Sequence, residues 1–136
     1  MTEVRVVQHL ANPAEIVWAM VGDFGGLHRW HPKVRGTDLS WEGRIRTVHY
    51  VDGSRAVERL EARSDASRRY VYVVVNGAVP VNNCRSTLHV RSNGHGSAVI
   101  WSCEFEALGD GESSAIEALH TLYHDGLIAL VRALDS

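Results

Sequence analysis

Glu58 is the residue whose type and setting point most directly to chemistry. It lies in Ser54 to Ser64, a run that reads as a strand, on the same face as the apolar Leu60 and Ala62. A carboxylate on an apolar face loses hydration, and desolvation moves its pKa toward the range of a general base. The same group can accept a hydrogen bond from a ligand hydroxyl, or make a water-mediated structural contact across the sheet. Asp52-Gly53 reads as a two-residue hairpin turn, which pairs Val51 with Ser54 and Thr47 with Glu58. That register puts Thr47 and His49 on the face of Glu58. His49, with an ordinary pKa near ~6.5, would exchange protons with Glu58 or sit at a solvent-exposed mouth. Glu58 and His49 are therefore the candidate catalytic residues.

Other reactive types are more ambiguous. His31 stands beside Trp30 and before Pro32, where it would line an entrance or cap a helical turn. His120 and Tyr123 lie on a C-terminal helix, three residues apart, with Tyr123 either offering its hydroxyl to a ligand or bonding backbone as a core tyrosine. His120 and His124 have the i, i+4 spacing of metal ligands, but no third ligand joins them, so no metal is expected. Cys84 and Cys103 are too few and too far apart for a metal or redox motif, and read as small apolar residues lining a pocket. Trp30 and Trp101 would wall an aromatic ligand or fill a core.

The elements that must position these groups follow from periodicity. Ile116, Leu119, Tyr123, Leu127, Leu130 and Leu134 recur every three or four residues, which predicts an amphipathic helix over Ser114 to Leu134, opened by Ser114 and Glu117 as a capping box. Asn12-Pro13 predicts the start of a short helix burying Ile16, Val17 and Met20, ended by Gly25-Gly26, with a second helical turn at Leu27 to His31. Val4 to His9 and six later runs between Val34 and Leu108 read as strands. In the last of these, Val99, Trp101, Cys103 and Phe105 share the face toward the helix. The preceding strand presents Cys84, Ser86 and Leu88 inward, and Tyr70, Tyr72 and Val74 are placed inside in the fifth. Strands grouped apart from a terminal helix predict an α+β fold with an antiparallel sheet.

Composition narrows the function. The 136 residues suit one domain, 1–136. Fourteen basic and sixteen acidic residues give a net charge of −2 without a basic block, which argues against nucleic acid as a partner. No apolar run approaches the roughly 18 residues of a membrane span, and Met1 to Leu10 has no apolar signal core, so a cytoplasmic protein without membrane insertion is expected.

Glu58-Arg59-Leu60-Glu61, Asp65 and Asn83-Cys84-Arg85-Ser86 resemble the START/Bet v 1-like superfamily, and most closely its bacterial polyketide cyclase/dehydrase and lipid-transport-like branch. Val17-Trp18, Phe24, His31 and Trp101 to Phe105 before a long helix fit the same pattern. The resemblance implies a helix-grip fold: a curved sheet of about seven strands wrapped around the C-terminal helix, two short helices after the first strand, and a cavity for a hydrophobic molecule. The related abscisic-acid-receptor pattern implies ligand contacts at Glu58, Tyr72, Val74, Cys84, Ser86 and Tyr123. The receptor's pocket lysine aligns near Trp30, and its gating loop is replaced by Asp52-Gly53, so that role is rejected.

The sequence thus predicts binding of an aromatic or polyketide-like molecule. Trp30, Tyr72, Trp101, Phe105 and Leu127 supply apolar contact, with Val74, Cys84 and Cys103 lining. Glu58, His49, Ser86 and Tyr123 fix orientation, with Thr47, His31 and His120 nearby. The enzyme version is a cyclase or dehydratase without cofactor, and the binding version a carrier or sensor. A third reading is self-association as a homodimer through the outward Val71, Val73 and Val75.

Overall fold

A computed structural model describes residues 1–135; Ser136, the last residue of the expected domain, lies outside the described residues. The chain runs β1 (Thr2–Leu10), α1 (Ala14–Val21), a 3-10 turn (Leu27–Arg29), β2 (Val34–Ser40), β3 (Ile45–Tyr50), β4 (Arg55–Ser64), β5 (Arg69–Asn76), β6 (Val81–Asn93), β7 (Gly96–Ala107) and α2 (Glu112–Asp135). The strands form one antiparallel sheet in the order β1-β7-β6-β5-β4-β3-β2. This is the α+β helix-grip architecture: the sheet curves around α2, and the core fills the space between them.

Alternation sets the faces of β6 and β7 as expected. Cys84, Ser86, Leu88 and Val90 point inward from β6, and Val99, Trp101, Cys103 and Phe105 from β7, each at most 3% exposed. Tyr70 and Tyr72 are buried from β5. Helix α2 spans 24 residues, about 36 Å at 1.5 Å per residue. It buries Ala115, Leu119, Tyr123, Gly126, Leu127 and Leu130. It begins before the expected Ser114 cap, and Ile116 turns partly to solvent. In α1 the N-cap is Pro13 rather than Asn12, and Ile16 faces out while Ala14, Val17 and Val21 are buried.

The β3–β4 hairpin departs from the two-residue expectation. Gly53 N–H donates to the Tyr50 carbonyl at 3.0 Å, and Tyr50 N–H donates to the Ser54 carbonyl at 2.9 Å. Gly53 takes a positive φ of 92°. The loop is therefore three residues, Val51-Asp52-Gly53, with glycine in the left-handed position that such loops require. Asp52 Oδ1 fastens it by accepting from Ser54 N–H and Oγ at 2.8 and 2.6 Å. The added loop residue slips the register by one. Arg46 pairs with Glu58 and Val48 with Ala56, while Thr47 pairs with Val57 and His49 with Arg55. A one-residue slip exchanges faces, so Arg46 and Val48 are inside and Thr47 and His49 are outside. A bulge between Leu60 and Ala62 ends the alternation in β4, and Ala62 is exposed where an inward position was expected.

Candidate functional site: a cavity beneath the C-terminal helix

A cavity of about 410 Å³ lies between the inner face of the sheet and α2. Tyr72 and Val74 of β5, Cys84 of β6 and Trp101 of β7 form its floor. Leu119, Leu122 and Tyr123 of α2 form its roof, and Ala56 and Glu58 of β4 one wall. Leu27, His31 and Val34 close it near the 3-10 turn. Lys33, Tyr50 to Asp52 and Gly77 to Val79 frame the mouth, where Val51 N–H donates to the Lys33 carbonyl at 2.9 Å.

Glu58 is held by a partner that the sequence reading missed. Arg46 Nε donates to Glu58 Oε1 at 2.7 Å, with the Arg46 side chain fully buried and that of Glu58 7% exposed. Arg46 Nη1 donates to the Phe24 carbonyl at 3.0 Å and more weakly to the Tyr70 hydroxyl at 3.4 Å. Its guanidinium lies over the rings of Phe24 and Tyr72, at 4.2 and 4.6 Å from their centroids. Burial works against the Arg46 charge, but the attraction of Glu58 and the surrounding tyrosines outweigh it and raise the pKa. The pair is thus a carboxylate neutralised by a permanent cation, not an isolated acid in an apolar pocket. Burial first, and then the charge of Glu58, push the Tyr50 and Tyr72 phenols above their ordinary range.

The remaining polar groups on the walls are largely engaged with one another. His31 Nε2 donates to the Leu122 carbonyl at 2.8 Å, and its Nδ1 accepts from Lys33 N–H at 3.2 Å, which fixes the neutral tautomer. Burial lowers its pKa. Trp101 Nε1 donates to the Tyr72 hydroxyl at 3.1 Å, while the Trp101 ring stacks on Tyr123 at 4.2 Å. The Tyr123 and Ser86 hydroxyls bond at 3.1 Å. The Cys84 thiol is pushed up by its hydrogen bond to Cys103 and by burial, so it is no thiolate nucleophile.

Of the residues singled out in the sequence, His31, Glu58, Tyr72, Val74, Cys84, Trp101 and Tyr123 come together on the cavity wall. Trp30, Ser86, Cys103, Phe105 and Leu127 are buried behind it. Three lie elsewhere. His49 is on the outer face, 2.8 Å from Asp38, and Thr47 accompanies it there, both displaced by the register slip. His120 is exposed on α2 and stacks on His124, because the inward stripe runs through Leu119 and Tyr123 instead. Among the described residues no cluster of three or more metal-ligating side chains occurs. No helix of the described residues is long and apolar enough to cross a membrane. On the outer face Val71 and Val73 are half-buried and Val75 is exposed.

A curved antiparallel sheet gripping one long helix over an internal cavity defines the SRPBCC/Bet v 1-like class. The family described as polyketide cyclase/dehydrase and lipid transport matches residues 1–135, and the chain belongs to it. The solved structure of XoxI from Bacillus cereus is 33% identical with a TM-score of 0.96, over 100% of this chain and 97% of that one. An uncharacterized protein from Bacillus thuringiensis is 32% identical with a TM-score of 0.95, over 99% of this chain and 100% of that one. Ara h 8.0201 shares the fold at 16% identity, with a TM-score of 0.81 over 99% of each chain. No curated protein matches the chain.

Proposed function

We propose that this protein binds a hydrophobic, aromatic or polyketide-like small molecule between α2 and the sheet, and holds it as a carrier or sensor without converting it. The observation that carries this reading is the cavity itself. Its volume of about 410 Å³ and its walls of Trp101, Tyr72, Val74, Leu119 and Leu122 suit a compact apolar ligand. Membership of a family that includes lipid transport supports it. The catalytic alternative is weakened at both of its candidate bases. Glu58 Oε1 is engaged by Arg46 at 2.7 Å, and His49 faces outward beside Asp38, away from the cavity.

Native mass spectrometry of the purified protein, followed by a thermal-shift series of aromatic polyketides, fatty acids and terpenoids, tests the proposal. The expected result is a co-purifying ligand, or a rise of several degrees confined to one chemical class. The bound compound should be recovered unchanged. No shift with any class contradicts the binding reading, and turnover of the bound compound contradicts the carrier reading.

A further inference from the structure

Resting on the cavity reading above, we infer that the accepted ligand presents a hydrogen-bond donor to Glu58: a neutral, hydroxyl-bearing apolar compound, not a carboxylate bound head-first. The reasoning is an accounting of polar atoms. Both nitrogens of His31 are bonded to backbone. The Tyr72 hydroxyl accepts from Trp101, and the Ser86 and Tyr123 hydroxyls share one hydrogen bond. At the mouth, Lys33 pairs with Asp125 at 3.0 Å, and Asp52 is bound to Ser54.

What remains on the wall is one acceptor, Glu58, beside the phenol O–H groups of Tyr50 and Tyr72, for which no acceptor occurs among the described residues. Glu58 Oε1 takes the Arg46 proton, and its Oε2 has no partner among the described residues. The matching cation is out of reach, because Arg46 is absent from the cavity wall and its Nη2 is sealed in the core. The inner end therefore offers an acceptor without an accessible cation. A ligand hydroxyl there makes a charge-assisted hydrogen bond. A methyl ether leaves Oε2 dehydrated without a donor, and a carboxylate meets like charge in a low-dielectric wall. Glu58 thus acts as a specificity residue, and Arg46 as the positioning residue that holds its Oε1 and aims Oε2 at the cavity.

The test is calorimetric titration of the purified protein with three compounds on one skeleton: a hydroxyphenanthrene, its methyl ether and the corresponding phenanthrene carboxylate. The phenol should bind about tenfold or more tightly than the ether, with the carboxylate weakest. The same series on the double variant Arg46→Met/Glu58→Leu, which removes the acceptor with its cation and whose fold is checked by thermal melting, should narrow the phenol–ether gap to less than about threefold. An ether that matches the phenol, a carboxylate that matches it by sitting head-out at Lys33, or a gap that persists in the variant overturns the donor assignment and leaves the cavity reading standing. Failure of all three compounds to bind wild type overturns both. If the double variant does not fold, the wild-type series alone decides.

Discussion

Arg46 and Glu58 define the interior at the scale of single residues. A guanidinium without solvent exposure is tolerable only with its charge matched, and Glu58 at 2.7 Å supplies the match. Arg46→Met alone should cost about 3–5 kcal/mol, because it strands a buried carboxylate, whereas Arg46→Met/Glu58→Leu should lie within roughly 2 kcal/mol of wild type. Urea unfolding of both variants measures this, and equal losses would contradict the pairing. His31 predicts a pH dependence. Burial holds its folded pKa below the unfolded value of about 6.5, so between those two values the unfolded chain binds a proton that the native state refuses. Stability is therefore fully present above about pH 6.5 and is lost as pH falls toward the folded value. Melting temperatures between about pH 7.5 and 5 should show this decline in wild type and a shallower one in His31→Gln. The lowered pKa values of Asp52, Asp65 and Asp125 place their own effects in a more acidic window.

The placement of these residues is decided by elements, above all by one turn and one helix glycine. The faces of β6 and β7 were legible because both strands bury a continuous inner row, so period two reports burial directly. The face of β3 was not. Asp52-Gly53 fits two hairpins that differ by one loop residue, and that residue moves Thr47 and His49 out and Arg46 in. A signal for the true register was present: only the three-residue loop sets a cation opposite Glu58, and a buried carboxylate requires one. In α2, Gly126 stands buried in the helix interior, a position where glycine is unfavourable. A Cβ there would stand 2.7 Å from His31 Nε2, so glycine lets the helix pass the ring that bonds the Leu122 carbonyl one turn earlier. Gly126→Ala should gain helix propensity worth about 1 kcal/mol yet lose about 1–3 kcal/mol to overpacking against a ring pinned at both nitrogens. Chemical denaturation should show net destabilisation, relieved when His31→Ala is added. Stabilisation by Gly126→Ala alone would show that the ring moves freely.

At the scale of the whole molecule, α2 and the sheet do not fill the space between them. Trp101, Tyr123, Tyr72, Arg46 and Glu58 build a rigid inner layer in which stacking, hydrogen bonds and the ion pair cross-brace five elements. Next to it, toward the Lys33–Asp52 mouth, the packing opens into the cavity. A void of this size sacrifices dispersion contacts and is a liability in a core of 136 residues unless something occupies it. The most direct measurement is a calorimetric titration of Ala56→Phe beside wild type, with the compound that gives the largest thermal shift. Ala56 is buried on the cavity wall, so a phenyl ring at that position extends into the void. The variant should melt at or above the wild-type temperature and bind at least about tenfold more weakly. A folded Ala56→Phe protein that binds the compound as tightly as wild type would place the ligand elsewhere and contradict the cavity as its site.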